Sequence, residues 1–221
     1  MQDGQNLFDP ATAFGGNHWR AGETADDLIA RGVIEPLIIV GIYNTGPRRI
    51  SEYTPTRSRR TRKGGKADRY AEMLAREIKP FIDHEYRTRK PAAQTGVGGS
   101  SLGALAALAT GLAYPRVFGK MALMSPSVWW DDRAILRSVH AYSSRSRAKI
   151  WLDTGHCEGD NPAAIVEDAR ALRDALVATG WSEESNLKYV EDESGGHNEQ
   201  AWAARFPAVL GYLYPARVIV P

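Results

Sequence analysis

Between Thr95 and Leu108 the chain reads TGVGGSSLGALAAL, glycines and two serines followed by a run of small apolar residues. Gly99-Ser100-Ser101-Leu102-Gly103 matches G-x-S-x-G, and Ser101 fits its centre. This spacing belongs to a strand that turns sharply into a helix. The residue at the tip has a strained backbone, and the residues two before and two after it approach so closely that a Cβ at either would clash. Ala104, Ala106, Ala107 and Ala109 keep the following helix slim enough to pack tightly on a sheet. The free N–H groups and positive dipole end of that helix face the tip. Such a corner sits in an α/β layer and holds one hydroxyl up at its edge; a glycine-rich loop that only opens a helix is the alternative.

The rest of the chain supplies the other elements of such a layer. EPLIIVGIY reads as a buried strand. In DRYAEMLAREIKPFIDHEY, Tyr70, Met73, Leu74, Ile78, Phe81 and Ile82 recur at helical spacing, and Pro80 predicts a kink or a break near Lys79. Further strands are expected at TGVGG, KMALMS, KIWLDTG and NLKYVED. Helices are expected through LGALAALATGLAY, DDRAILRSVH, NPAAIVEDARALRDALVATG and AWAARFPAVLGYLY. This alternation predicts a mostly parallel central sheet flanked by helices, in one α/β domain spanning residues 1–221. In such sheets chemistry sits at the carboxyl ends of the strands.

Apolar residues make up 43% of the 221, enough for one core, and the net charge is only +2. That near balance argues against a nucleic-acid partner. Charge is concentrated in RSRRTRKGGK, Arg57 to Lys66, which has two glycines and no apolar period. It reads as a solvated loop, with a basic rim for an anionic substrate as the alternative. No apolar run reaches the length a bilayer requires, so no membrane partner is expected. Cys157 is the single cysteine, which rules out an intrachain disulfide.

A serine hydroxyl is a poor nucleophile until a base takes its proton. Of the five histidines, His18 and His84 precede Ser101, His140 ends a short helix and His156 follows a strand. His197, in GGHNE, lies on a glycine-rich turn between a late strand and the last helix. Enzymes that carry a serine on this kind of corner run serine, acid, histidine along the chain, and His197 fits that order. The acid is expected in IWLDTGHCEGD. Glu158 ranks first because it lies on the loop, where it reaches an imidazole Nδ1–H; Asp160 ranks second and Asp153, at the strand end, third. His156, Cys157, Glu158 and Asp160 are all metal-ligand types, but their spacing matches no standard zinc pattern. No metal and no cofactor are expected.

Several stretches together resemble the "putative esterase" family of α/β-hydrolases. They are MQDGQNLFD, EYTP, GGKADRY with EIKPFIDHEYRT, GGSSLGALAAL, YPRVFGKMALMSPSVWW, LDTGHCEG and GGHNEQAW. Enterochelin, feruloyl and acetyl-xylan esterases belong to that family, as do S-formylglutathione hydrolases and mycolyl transferases. The resemblance implies Ser101 as nucleophile, His197 as base and Glu158 as acid, with His156 standing where threonine is usual. It implies that DGQN supplies one oxyanion N–H from Gln5, beside that of Leu102. It also matches Trp19, Trp129 and Trp130 to positions that line the acyl or leaving-group pocket, with core aromatics as the alternative. The implied activity is hydrolysis of a small-molecule ester through an acyl-enzyme. Acyl transfer with the same residues, and a non-catalytic binding module, are the alternatives. Family members carry about two or three strands before DGQN, so a sheet short of its first strands is expected, whose bare edge invites a homodimer. No leader precedes the turn, which favours the cytoplasm, with secretion left open by the shortened start.

Overall fold

The computed structural model describes residues 1–144 and 148–216. Its central sheet has four parallel strands in sequential order: β1 (Gly96–Ser100), β2 (Lys120–Met124), β3 (Lys149–Cys157) and β4 (Leu187–Gly196). The helices are α1 (Ala21–Ala30), α2 (Arg49–Tyr53), α3 (Ala67–Met73), α4 (Lys79–Glu85), α5 (Leu102–Ala113), α6 (Ala134–His140), α7 (Pro162–Ala178) and α8 (Glu199–Leu213). No helix among the described residues is long and apolar enough to cross a membrane.

The central strands β2 and β3 carry apolar residues on both faces because helices cover both. Met121, Leu123, Ile150 and Leu152 face a core built with Leu105 and Leu108 of α5, Ile135 of α6 and Leu172 of α7. Their neighbours Ala122, Met124 and Trp151 point the other way, into a core with Leu28 of α1 and Trp202, Phe206 and Val209 of α8. This two-residue alternation assigns the core side chains of β2 and β3 to one layer or the other. From Ala104 to Leu108, α5 has no exposed surface at all, which explains the run of small residues.

One expectation changes in the structure, and the break expected near Lys79 takes the form of a π-helical turn. EPLIIVGIY is neither buried nor a regular strand, and Ile38 is half exposed. Its last residues pair with the first residues of the chain through Met1 N–H to Val40 O, Ile42 N–H to Met1 O and Gly4 N–H to Ile42 O. Gln2 in turn donates to Gly98 O of β1. The pairing is too short to build a ladder, so a single parallel bridge, Gln2 to Ile42, is what remains. The long helix expected over residues 68–86 divides into α3 and α4, joined by a π-helical turn over Leu74–Ile78. Pro80 lies at the start of α4, and the wider turn absorbs the bond and the space that its ring denies the preceding carbonyl.

Candidate active site

The carboxyl ends of β1, β2, β3 and β4 converge on Ser101. Its backbone has φ 56° and ψ −126°, a strained conformation for a residue with a side chain. Ser101 N–H donates to Met124 O at the end of β2, and its carbonyl accepts from Ser127 N–H and Leu105 N–H. A Cβ on Gly99 would lie 3.0 Å from the carbonyl carbon of Gly103, and one on Gly103 would lie 3.1 Å from the Cβ of Gln2. The two glycines of the pentapeptide are required by that contact.

His197 stands between β4 and α8, and the next residue, Asn198, caps α8 by accepting from Ala201 N–H. The imidazole Nε2 is 2.9 Å from Ser101 Oγ. On the other side, Nδ1 is 2.8 Å from Oε2 of Glu158. The ring edge packs on Trp202, centroids 5.0 Å apart. Glu158 follows β3 directly and is fully buried. Its second oxygen accepts from Gly155 N–H at 2.7 Å and from the Ser125 hydroxyl. That hydroxyl accepts in turn from Trp202 Nε1–H at 3.0 Å and Arg205 Nη2–H at 2.9 Å. One donor and two acceptor sites exhaust what a serine hydroxyl offers, so its proton is committed to Glu158.

The three acids ranked from the sequence have different surroundings. Glu158 meets His197, Asp160 is exposed on the loop, and Asp153 lies within β3 without reaching the imidazole. Asp153 forms a buried ion pair with Arg205 at 3.1 Å and accepts from Trp151 Nε1–H at 2.7 Å. Burial pushes its carboxyl up to about 6, against the opposing pull of Arg205 and Trp151. Gln5 N–H and Leu102 N–H have no acceptor among the hydrogen bonds of the described residues.

The tryptophans divide. Trp19, 3% exposed, packs against Trp202 and Phe206 in the core and offers no surface to a bound molecule. Trp130 is also buried and anchors the arginine-rich loop by donating to Thr56 O at 2.9 Å. Trp129 alone presents its ring, 56% exposed, two residues beyond Ser127. Three participants are missed by reading the sequence: Ser127, whose hydroxyl lies 3.2 Å from that of Ser101, Ser125 and Arg205. The signal for the serines was their place at the end of β2. For Arg205 it was a charge on the apolar stripe of α8, between Trp202 and Val209. An apolar cleft of about 460 Å³ lies elsewhere, beside Val40, Val97 and Leu210, and its lining includes neither Ser101 nor His197.

A parallel sheet between helices, with a serine corner at the strands' carboxyl ends, defines the chain as an α/β-hydrolase of the esterase type. The chain belongs to the family described as "Putative esterase", whose model matches residues 1–213, and it is a carboxylic-ester hydrolase. It is 32% identical over 168 residues to the uncharacterized protein YjcH of Bacillus subtilis strain 168, covering 71% of this chain and 64% of the relative. The BES protein from Bacillus cereus superposes with a TM-score of 0.73 at 21% identity, covering 96% of this chain and 80% of that one. Enterochelin esterase from Shigella flexneri gives 0.73 at 22% identity, covering 96% of this chain but 49% of that larger one. At such identities the likeness to solved structures speaks for the fold alone.

Proposed function

We propose that the chain hydrolyses small-molecule carboxylic esters through an acyl-enzyme on Ser101. The observation that carries this reading is the unbroken chain of contacts from Ser101 Oγ through His197 to Glu158, 2.9 and 2.8 Å. Ser101 Oγ attacks the ester carbonyl while His197 Nε2 takes its proton. The negative charge moves to the carbonyl oxygen, which accepts from Gln5 N–H and Leu102 N–H. Collapse expels the alcohol, protonated by His197, and leaves the acyl group on Ser101. Water activated by the same imidazole then releases the acid and restores the serine. Glu158 holds Nδ1 protonated, so that Nε2 is the free base, and stabilises the imidazolium. The exposed ring of Trp129 gives the acyl or alcohol portion an apolar face at the mouth.

The test is turnover of p-nitrophenyl acetate and butyrate by Ser101→Ala, with circular dichroism as a control for folding. The substitution is expected to lower kcat by at least about 10⁴-fold. A fluorophosphonate probe is expected to label the natural chain on Ser101 and leave the variant unmarked. Turnover by the variant within tenfold of the natural chain would overturn the reading.

A further inference from the structure

Asp3 precedes the turn that carries Gln5 and has an unusual set of partners. Its backbone is left-handed, φ 52° and ψ 47°, and its residue exposure is only 6%. The carboxylate accepts two parallel bonds from Arg49, Nε to Oδ1 at 2.8 Å and Nη2 to Oδ2 at 2.7 Å. A third comes from Asn44 Nδ2 at 2.7 Å. Asp3 N–H donates to the Tyr53 hydroxyl at 3.1 Å, and Asp3 O accepts from Asn6 N–H at 2.9 Å. The carboxylate also lies against the serine corner, where a Cβ on Gly103 would come within 3.2 Å of Oδ2. Asp3 therefore lies between the two segments that carry the free N–H groups: its backbone carbonyl is bonded into Gly4–Asn6, and its carboxylate lies against Gly103 in the first turn of α5. It brings a negative charge close to where a second one must develop.

We propose that Asp3 and Arg49 are a positioning pair for the oxyanion site. Asp3 ties the Gln5 turn to the Leu102 turn, and Arg49 both fixes the carboxylate and cancels the charge it would otherwise turn on the oxyanion. The bidentate fork suits this role because it sets direction as well as charge. The inference rests on the proposed use of Gln5 and Leu102 as donors to that oxygen. Asn44 extends the brace, since its backbone N–H donates to the side-chain oxygen of Gln5 at 3.3 Å.

A charge-cancelling pair and a merely structural one differ in a double variant. Arg49→Met strands the carboxylate beside the oxyanion, and kcat on p-nitrophenyl butyrate is expected to fall about 30-fold with KM within about threefold. Adding Asp3→Asn removes the stranded charge, and the double variant is expected to regain at least about fivefold in kcat over Arg49→Met. A pair that only holds the fold gives a double variant no better per folded molecule, which overturns the proposal, as does Arg49→Met with kcat within threefold of the natural chain. Should Arg49→Met fail to fold, Arg49→Lys keeps the charge and loses the fork. Its kcat is expected to drop about three- to tenfold at unchanged KM, and a natural kcat there overturns the proposal as well. Fluorophosphonate labelling separates the two readings. A natural chain unlabelled at Ser101 ends the proposed chemistry, whereas normal labelling of both it and Arg49→Met ends only the role of the pair.

Discussion

A buried carboxylate is costly unless its oxygens meet donors, and both oxygens of Glu158 do so, one with His197 and the other with Gly155 N–H and Ser125. Glu158→Gln keeps the shape and removes the charge. An amide facing Nδ1 either presents its own N–H or accepts without compensating the imidazolium, so kcat/KM is expected to fall about 10³- to 10⁴-fold. Asp160→Asn, on an exposed loop, is expected to leave kcat/KM within about twofold. Equal losses from the two variants, measured on one ester at neutral pH, would remove Glu158 from the mechanism. At this scale the sequence is readable where the chemistry fixes the spacing. Ser101 announces itself by glycines at a fixed distance, and His197 by its place after the last strand. Trp19 and Trp130 carry no such mark, because a tryptophan serves a core and a pocket equally well and only burial separates the two.

Glu158 and His197 directly follow the neighbouring strands β3 and β4, so the packing of one strand on the other sets the distance between them. Where the two strands leave register, Gly155 meets Gly195 so closely that a Cβ on Gly155 would lie 2.1 Å from the Gly195 carbonyl oxygen. That contact is backbone, which no rotamer change relieves. Gly155→Ala must push the end of β4 away from β3, separating the imidazole from its carboxylate. The expected result is a loss of about 100-fold or more in kcat, with destabilisation of about 1–3 kcal/mol in urea unfolding. Gly155→Ala with natural kcat and midpoint would mean that the strand ends tolerate the displacement. The same element explains what the sequence reveals and withholds. The strands and helices from Gly96 onward follow from hydrophobic period and turn residues, and Pro80 marks its break. The run at residues 35–43 is as apolar as any strand, yet its state depends on how many residues lie beside it, a tertiary fact that no local pattern carries.

For the whole molecule, the stability of the last strand against its neighbours turns on a carboxylate far from the serine. Glu191 of β4 accepts two bonds from Arg170 of α7, at 2.7 and 2.8 Å, and pairs with His156 of β3 at 2.8 Å. The Tyr189 hydroxyl donates to it as well, at 2.8 Å. The Arg170 fork, followed by the bonds from His156 and Tyr189, holds the carboxyl down at about 2 against the opposing effect of burial. A carboxyl depressed in the folded state stabilises the fold at pH values above its unfolded value. That contribution fades as acid protonates it, over the window from 4.5 down toward about 2. Glu191 is 21% exposed and Arg170 51%, so solvent screens much of the effect. Discounting for that, Glu191→Gln is expected to cost about 1 kcal/mol at pH 7. The gap from the natural chain should narrow steadily as urea unfolding is repeated between pH 5 and pH 3. It should also shrink at high salt, because the pair is partly solvated. A deficit that is the same at pH 3 as at pH 7 would assign the loss to packing of the side chain and not to its charge. At pH 7 the esterase activity of folded Glu191→Gln is expected to equal that of the natural chain, since this brace holds α7 and β3 to β4 and touches none of the atoms around Ser101.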